Sequence, residues 1–194
     1  MRAKLEVRLN LQGDQISRLQ ALQATFVQAC NFLAPVVAQT RCWNRVGLHH
    51  MAYRQLREHF PQLGSQMACN VIYSVSRAAR KVYQAPGGTA RSESQLPQMK
   101  FLPNAPVFFD RHTLSLKAGL LSLFTLDGRL RFQLNVSPEL EQTLATSKLK
   151  EIVMFQDAQG YMLRLTFGDE ASVDATSQDD SPEFIVVVNE KDVE

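Results

Sequence analysis

The chain has 194 residues, 45% of them hydrophobic, enough for one compact domain or two small ones with a real core; general disorder is excluded. Its formal net charge of +2 conceals a split. Residues 1–168 carry 20 Lys and Arg against 10 Asp and Glu, whereas residues 169–194 carry one Lys against nine acids. A basic body with an acidic tail points to a nucleic-acid partner, with the tail either shielding the basic surface or keeping the chain soluble.

No window approaches the roughly 20 apolar residues that cross a bilayer. The N-terminus, Met1-Arg2-Ala3-Lys4-Leu5-Glu6, lacks the apolar stretch of a signal peptide, so the expected location is cytoplasmic. The three cysteines, Cys30, Cys42 and Cys69, form no CxxC and support neither a disulfide framework nor a zinc knuckle. Cys30 and Cys69 lie in apolar helical stretches and read as small core residues.

Residues 3–11 alternate, with Leu5, Val7, Leu9 and Leu11 on one face, which predicts a half-buried strand. Gly13-Asp14 breaks the alternation and supplies a helix cap. From Gln15 the period turns helical through Ile16, Leu19, Leu22, Phe26, Cys30 and Leu33, and Pro35 is expected to bend or end that helix near Ala34. Residues 47–63 predict a second helix with Leu48, Met51, Leu56 and Phe60 inward, stopped by Pro61. Residues 65–84 predict a third, capped by Ser65. Its core stripe is Met67, Val71, Ile72, Val75, Ala79 and Val82, with Asn70, Tyr73, Ser74, Arg77 and Lys81 on the opposite face.

Residues 85–98 are polar and rich in Gly, Ser and Pro, as in a connector. The period then returns to two. Strands are expected at 107–109, 113–117 and 120–125, with Asp127-Gly128 turning the last into 129–135. Ser137-Pro138 opens a short helix, and a second hairpin spans 150–155 and 161–167 around Ala158-Gln159-Gly160. A last apolar run, Phe184 to Val188, reads as a strand. One strand, three helices and about six strands predict an α+β fold. The first strand must pair with the later ones, giving a small antiparallel β-barrel with an inserted three-helix bundle.

No phosphate loop, dinucleotide fingerprint, nucleophile elbow, Cys/His dyad or metal-ligand spacing is present, so no catalytic residue, metal or cofactor is assigned. His49 and His50 are adjacent and point about 100° apart on a helix, which rules out ligation of one ion as an i, i+4 pair. The binding case is fuller. Arg41, Arg45, Arg54, Arg57, Arg77, Arg80 and Lys81 gather in a stretch, 41–81, whose one acid is Glu58. Guanidinium forks hold phosphates bidentately, and Trp43, Tyr53 and Tyr73 offer stacking faces. His50 shares a helix face with Arg54. Arg8, Asn70, Lys100, Phe101, Arg129 and Arg131 complete the candidate nucleic-acid contacts, the last two on one face of a hairpin.

Several stretches taken in order resemble the N-terminal half of TnpB, the RNA-guided nuclease of bacterial transposons related to compact type V CRISPR effectors. They are "VRLNL", "FVQACNFL", "LREHFPQLGSQMACNVIYSVSRAARKVYQ", "LPQMKF" and "GYMLRLTF", spread over residues 3–167. The resemblance implies a wedge domain, an oligonucleotide-binding-like barrel, at 1–12 and 97–168. It implies a helical recognition domain at 13–85, a connector at 86–96 and an acidic tail with a vestigial strand at 169–194. In that family the two parts grip guide RNA and the guide–target duplex and help read a short motif beside the target.

Where the resemblance places the nuclease domain's opening strand and Asp-x-Gly, this chain reads "FIVVVNEKDVE", with Asn189 after the strand. The expectation is therefore a non-catalytic RNA-binding module working in a ribonucleoprotein, with possible target-DNA contact. Its alternatives are a subunit of a split nuclease needing a separate nuclease chain, a nuclease-free guide-dependent DNA-binding regulator, or an idle relic. The final strand is expected to add to the barrel edge, to pair with another chain, or to stay unstructured.

Overall fold

The computed structural model describes residues 3–84, 96–147, 149–168 and 184–188. Most of the expected connector and acidic tail lies outside the described residues. The protein is α+β. In chain order it runs β1 (Ala3–Arg8), α1 (Gly13–Thr40), α2 (Arg45–His59), α3 (Gly64–Ala79), β2 (Gln98–Phe101), β3 (Val107–Phe109), β4 (Leu114–Lys117), β5 (Leu120–Thr125), β6 (Gly128–Gln133), α4 (Pro138–Thr146), β7 (Leu149–Asp157), β8 (Gly160–Phe167) and β9 (Ile185–Val188).

The strands form three antiparallel assemblies, ordered β1-β8-β7-β3, β2-β9 and β4-β5-β6, and none closes on itself among the described residues. Two compact units result: Met1–Leu19 with Phe108–Glu183, and Gln20–Val107 with Phe184–Glu194. The division falls inside α1 and places β2 and β9 with the helices, whereas the sequence boundaries put both helical ends elsewhere.

In the first unit β1 pairs along its whole length with β8, from Ala3 opposite Phe167 to Arg8 opposite Met162. Strand β8 alternates strictly, burying Tyr161, Leu163, Leu165 and Phe167. Ile152 and Met154 of β7 join that core, while Val153, opposite Arg164, is buried on the other face. The outward face is tied by ion pairs, Arg164 Nε to Glu6 at 2.8 Å and Arg8 to Asp157 at 2.6 Å.

The β4-β5-β6 sheet has the same two-sided character. Leu114, Leu121, Leu123 and Leu130 are buried, and their neighbours face outward. Thr125 pairs with Gly128, so the turn residues are Leu126 and Asp127. Gly128, at φ +99°, is the first residue of β6 where the sequence placed it in the turn. The β4–β5 turn has positive φ at both Ala118 (+48°) and Gly119 (+73°), the twist that suits a two-residue hairpin. Arg18, at the start of α1, braces the other hairpin with a hydrogen bond from Nη2 to Thr125 Oγ1 at 2.7 Å.

In the second unit α1 does not end at Pro35. It continues to Thr40, with Leu33, Ala34 and Val37 fully buried. Proline removes one backbone bond, and the packed stripe on either side outweighs it. By length and composition α1 is also apolar enough to cross a membrane, with a window of mean hydropathy 1.4, contrary to the sequence expectation. Half of that window is buried inside the protein, as in a core helix.

The third helix is not capped by Ser65. A 3-10 turn, Pro61–Leu63, precedes α3, with a break in helical geometry at Gly64 (φ +67°) and no side-chain cap at Leu63. Its stripe of Met67, Val71, Ile72, Val75 and Ala79 is buried, and Arg80–Gln84 extends it as a π turn. On α2, Ala52 is buried and Met51 is exposed, reversing the expected inward residue. Cys30 is buried, whereas Cys69 is only partly so.

The final strand pairs with β2, Phe101 opposite Ile185 and Gln98 opposite Val188. Expected to add to a barrel edge, to pair with another chain or to stay unstructured, it instead forms a separate two-stranded ladder with β2.

Candidate nucleic-acid interface

Helix α2 starts where Asn44, in an extended conformation, accepts hydrogen bonds from Val46 N and Gly47 N at 2.9 and 3.1 Å. That side chain satisfies two of the orphan donors of the first turn and fixes the phase of everything after it. Arg45, His49, Tyr53 and Arg57 follow at four-residue intervals, so they lie along one slowly winding face. The His49 and Tyr53 rings stack at 4.6 Å with 16° between their planes.

The short Pro61–Leu63 connection turns the chain back, and α3 packs on α2. This brings Tyr73 beneath the start of α2. The Arg45 guanidinium carbon lies 5.2 Å from the Tyr73 ring centroid, and Arg77 Nη1 donates to the Tyr73 hydroxyl at 3.4 Å. Tyr73 thus has a cation at its face and a donor at its edge. A guanidinium held over a ring stays charged and keeps its in-plane N–H groups for another acceptor.

Around this core lie further cations. Arg54 is 91% exposed and pairs with Glu58 at 3.2 Å, a surface contact of little energetic weight. Arg80 and Lys81 are exposed on the π turn, and Arg41 is exposed in a left-handed conformation (φ +53°) just past α1. His50 is exposed with its ring 6.1 Å from that of His49, edge to face. Lys100 is exposed on β2.

Two predicted contacts are corrected by burial. Asn70 is 6% exposed, with its amide nitrogen 3.6 Å from Met67 Sδ, and Ser74 is buried with it. That side of α3, which sequence periodicity assigned to solvent, is covered: the Ser74 hydroxyl meets the Cys30 thiol of α1. Phe101 is 4% exposed and belongs to the core, leaving Lys100 on the surface side of the strand with Gln98. Trp43 is engaged as well. Its ring lies 5.6 Å from Tyr83, its indole N–H donates to Gln84 Oε1 at 3.2 Å, and its carbonyl accepts from Ser76 Oγ at 2.6 Å.

Arg8, Arg129 and Arg131 are in the other compact unit. Arg8 is committed to a two-pronged pair with Asp157, at 3.0 and 2.6 Å. That guanidinium, with the Gln159 N–H, lowers the Asp157 carboxyl to about 2. Arg129 and Arg131 are exposed on one face of β6, as alternation requires.

The residue that sequence reading passed over is His49. Its signal was present in the four-residue spacing Arg45, His49, Tyr53, hidden by attention to the adjacent His49-His50 pair. Among the described residues no three His, Cys, Asp or Glu side chains converge as a metal-ligating group. Comparison with known proteins adds no family: no protein-family model and no curated protein matches the chain.

Proposed function

We propose that the chain is a non-catalytic RNA-binding module of TnpB type that holds structured or guide RNA on the α2–α3 surface, within a cytoplasmic ribonucleoprotein. One observation carries the reading. Arg45, His49, Tyr53 and Arg57 line one face of α2, with Tyr73 of α3 against Arg45 and Arg77 on the Tyr73 hydroxyl, in a stretch whose one acid is Glu58. Arginines reach phosphates as forks, and histidine and tyrosine rings stack on unpaired bases.

The organisation as a wedge-type, oligonucleotide-binding-like barrel interrupted by a helical recognition bundle is part of the same proposal. Its support is the pairing of β1 with β8 across the inserted helices, which makes the helical segment an insertion between partner strands.

The test is a mobility shift with a structured RNA, including RNA transcribed from the flanking locus, at about 50 and 200 mM salt. Retardation that weakens steeply between the two salts is expected, because phosphate contacts release counterions. Binding no stronger than that of a neutral protein of similar size rejects the proposal.

A further inference from the structure

The outward face of the β4-β5-β6 sheet has the chemistry of a second binding surface. Register puts Lys117 of β4, Ser122 and Phe124 of β5, and Arg129 and Arg131 of β6 on that side. Lys117, Arg129 and Arg131 are exposed, Phe124 is half-buried, and Leu120 at the edge is 47% exposed. Every charged strand residue on the face is a cation; the acid of the β5–β6 hairpin, Asp127, sits in the turn.

Arg129 is already held in place. Its Nε donates to Ser122 Oγ at 2.7 Å, Nη2 to the Ser122 carbonyl at 2.9 Å and Nη1 to the His112 carbonyl at 3.2 Å. All three acceptors are neutral, so the charge has no carboxylate against it among the described residues. A guanidinium has five N–H groups, so two remain for an incoming acceptor. Arg131, two residues on, lies about 7 Å further along the same strand.

We infer that this sheet face binds single-stranded RNA, with an unpaired base against Phe124 and successive phosphates on Arg129 and Arg131, Lys117 adding charge at the far strand. Charge complementarity selects a polyanion. The half-buried aromatic among the cations selects bases over acidic side chains, because every base offers a π face. Duplex bases are stacked on one another and cannot take up that ring. The surface belongs to the unit that does not contain α2 and α3. It rests on the oligonucleotide-binding reading of that unit, and its cross-link is scored separately from binding on α2–α3.

The experiment uses the full chain and a 5-iodouridine-containing oligouridylate of about 12 nucleotides, within the span of one such sheet module. After irradiation and trypsin digestion, the cross-link is expected in the peptide 118–129, at Phe124. K117E/R131E should weaken oligouridylate binding about tenfold and flatten its salt dependence by about 1.4 units of slope, 0.7 per contact. Phe124→Leu keeps an apolar side chain and removes the ring, and should also weaken binding about tenfold. R45E/R77E should reduce binding of a structured RNA while leaving the Phe124 cross-link in place.

Wild-type affinity in both K117E/R131E and Phe124→Leu, each melting like the parent, overturns the inference. A cross-link confined to other peptides does so regardless of whether the variants fold. Equal competition by polyglutamate of matched charge also overturns it, in favour of an acidic peptide ligand. Loss of structured-RNA binding in R45E/R77E with the sheet cross-link intact supports both sites, whereas retention of structured-RNA binding there rejects the α2–α3 reading alone.

Discussion

The Asn31 carboxamide pairs with the main chain of Phe101 in both directions, Oδ1 accepting from the Phe101 N–H at 2.7 Å and Nδ2 donating to its carbonyl at 3.0 Å. The other edge of the same segment is tied to the last strand, where the Leu102 N–H donates to the Phe184 carbonyl at 2.9 Å. A helix side chain therefore takes the place of a neighbouring strand beside β2. Gln23, a little over two turns earlier on α1, repeats the device through Nε2 and the Ala105 carbonyl at 2.9 Å.

Replacing Asn31 with Ala should cost about 2 kcal/mol of unfolding free energy, since it removes two hydrogen bonds and strands two main-chain groups in a part-buried position. Denaturant midpoints measure this. A change below about 0.5 kcal/mol, the usual size for an unremarkable surface site, would show that water replaces the amide at no loss.

Gly119 is the one residue type its position tolerates. At φ +73° an added Cβ would stand 2.4 Å from Gln133 Nε2 and 3.1 Å from the Leu134 carbonyl oxygen. Gly119→Ala should destabilise by about 1–3 kcal/mol, whereas Ala118→Gly, which relieves a positive φ on a residue with a side chain, should be neutral or stabilising by up to about 1 kcal/mol. Thermal melts of the two variants must move apart, and a shift in the same direction would refute the turn geometry.

Asp157 gives the fold an acid-sensitive contact. The Arg8 guanidinium holds its carboxyl at about 2 in the folded chain, against 3.8 ordinarily. A depressed folded value means the contact stabilises above about pH 3.8 and is lost as pH falls toward 2. The gap in unfolding midpoint between wild type and Asp157→Asn should therefore be present at neutral pH and close over that window. A gap independent of pH would place the difference in something other than the carboxylate's charge.

Burial pushes the Cys30 thiol up to about 12, with the Ser74 hydroxyl opposing the shift. The neutral thiol is inert as a nucleophile. Native protein at pH 8 should leave Cys30 unmodified by a thiol reagent, with reaction following on denaturation. Mass mapping of labelled peptides decides it, and labelling of Cys30 in the native state contradicts its burial.

Much of this architecture was legible in local signals. Ser137-Pro138 opens α4 as an N-cap followed by proline, and its hydroxyl accepts from Leu140 N. The turn at Ala158-Gln159 joins β7 and β8 as the alternation required. What failed was tertiary in origin. Pro35 is a helix breaker in isolation, and only the burial of Leu33, Ala34 and Val37 keeps α1 whole.

The site was legible in part for the same reason. Arg45, Tyr53, Tyr73 and Arg77 were identified from charge bias and spacing, and the structure brings Arg45, Tyr73 and Arg77 together. Asn70 and Phe101 carry no local mark of burial; Phe101, for one, is enclosed by partners far away in the sequence, Ile185 of β9 and Asn31 of α1. A periodicity argument sees one helix or strand at a time and has no term for the element that will cover its polar side.

The measurement closest to the central claim is the dissociation constant of a structured RNA for wild type, R45A, R77A and Tyr73→Leu, each across about 50 to 200 mM salt. The account predicts weaker binding for all three variants, with the salt slope reduced by about 1 for each arginine and unchanged for the tyrosine, whose loss costs about 1–3 kcal/mol through stacking. Unchanged affinity and slope in variants that melt like wild type would contradict it.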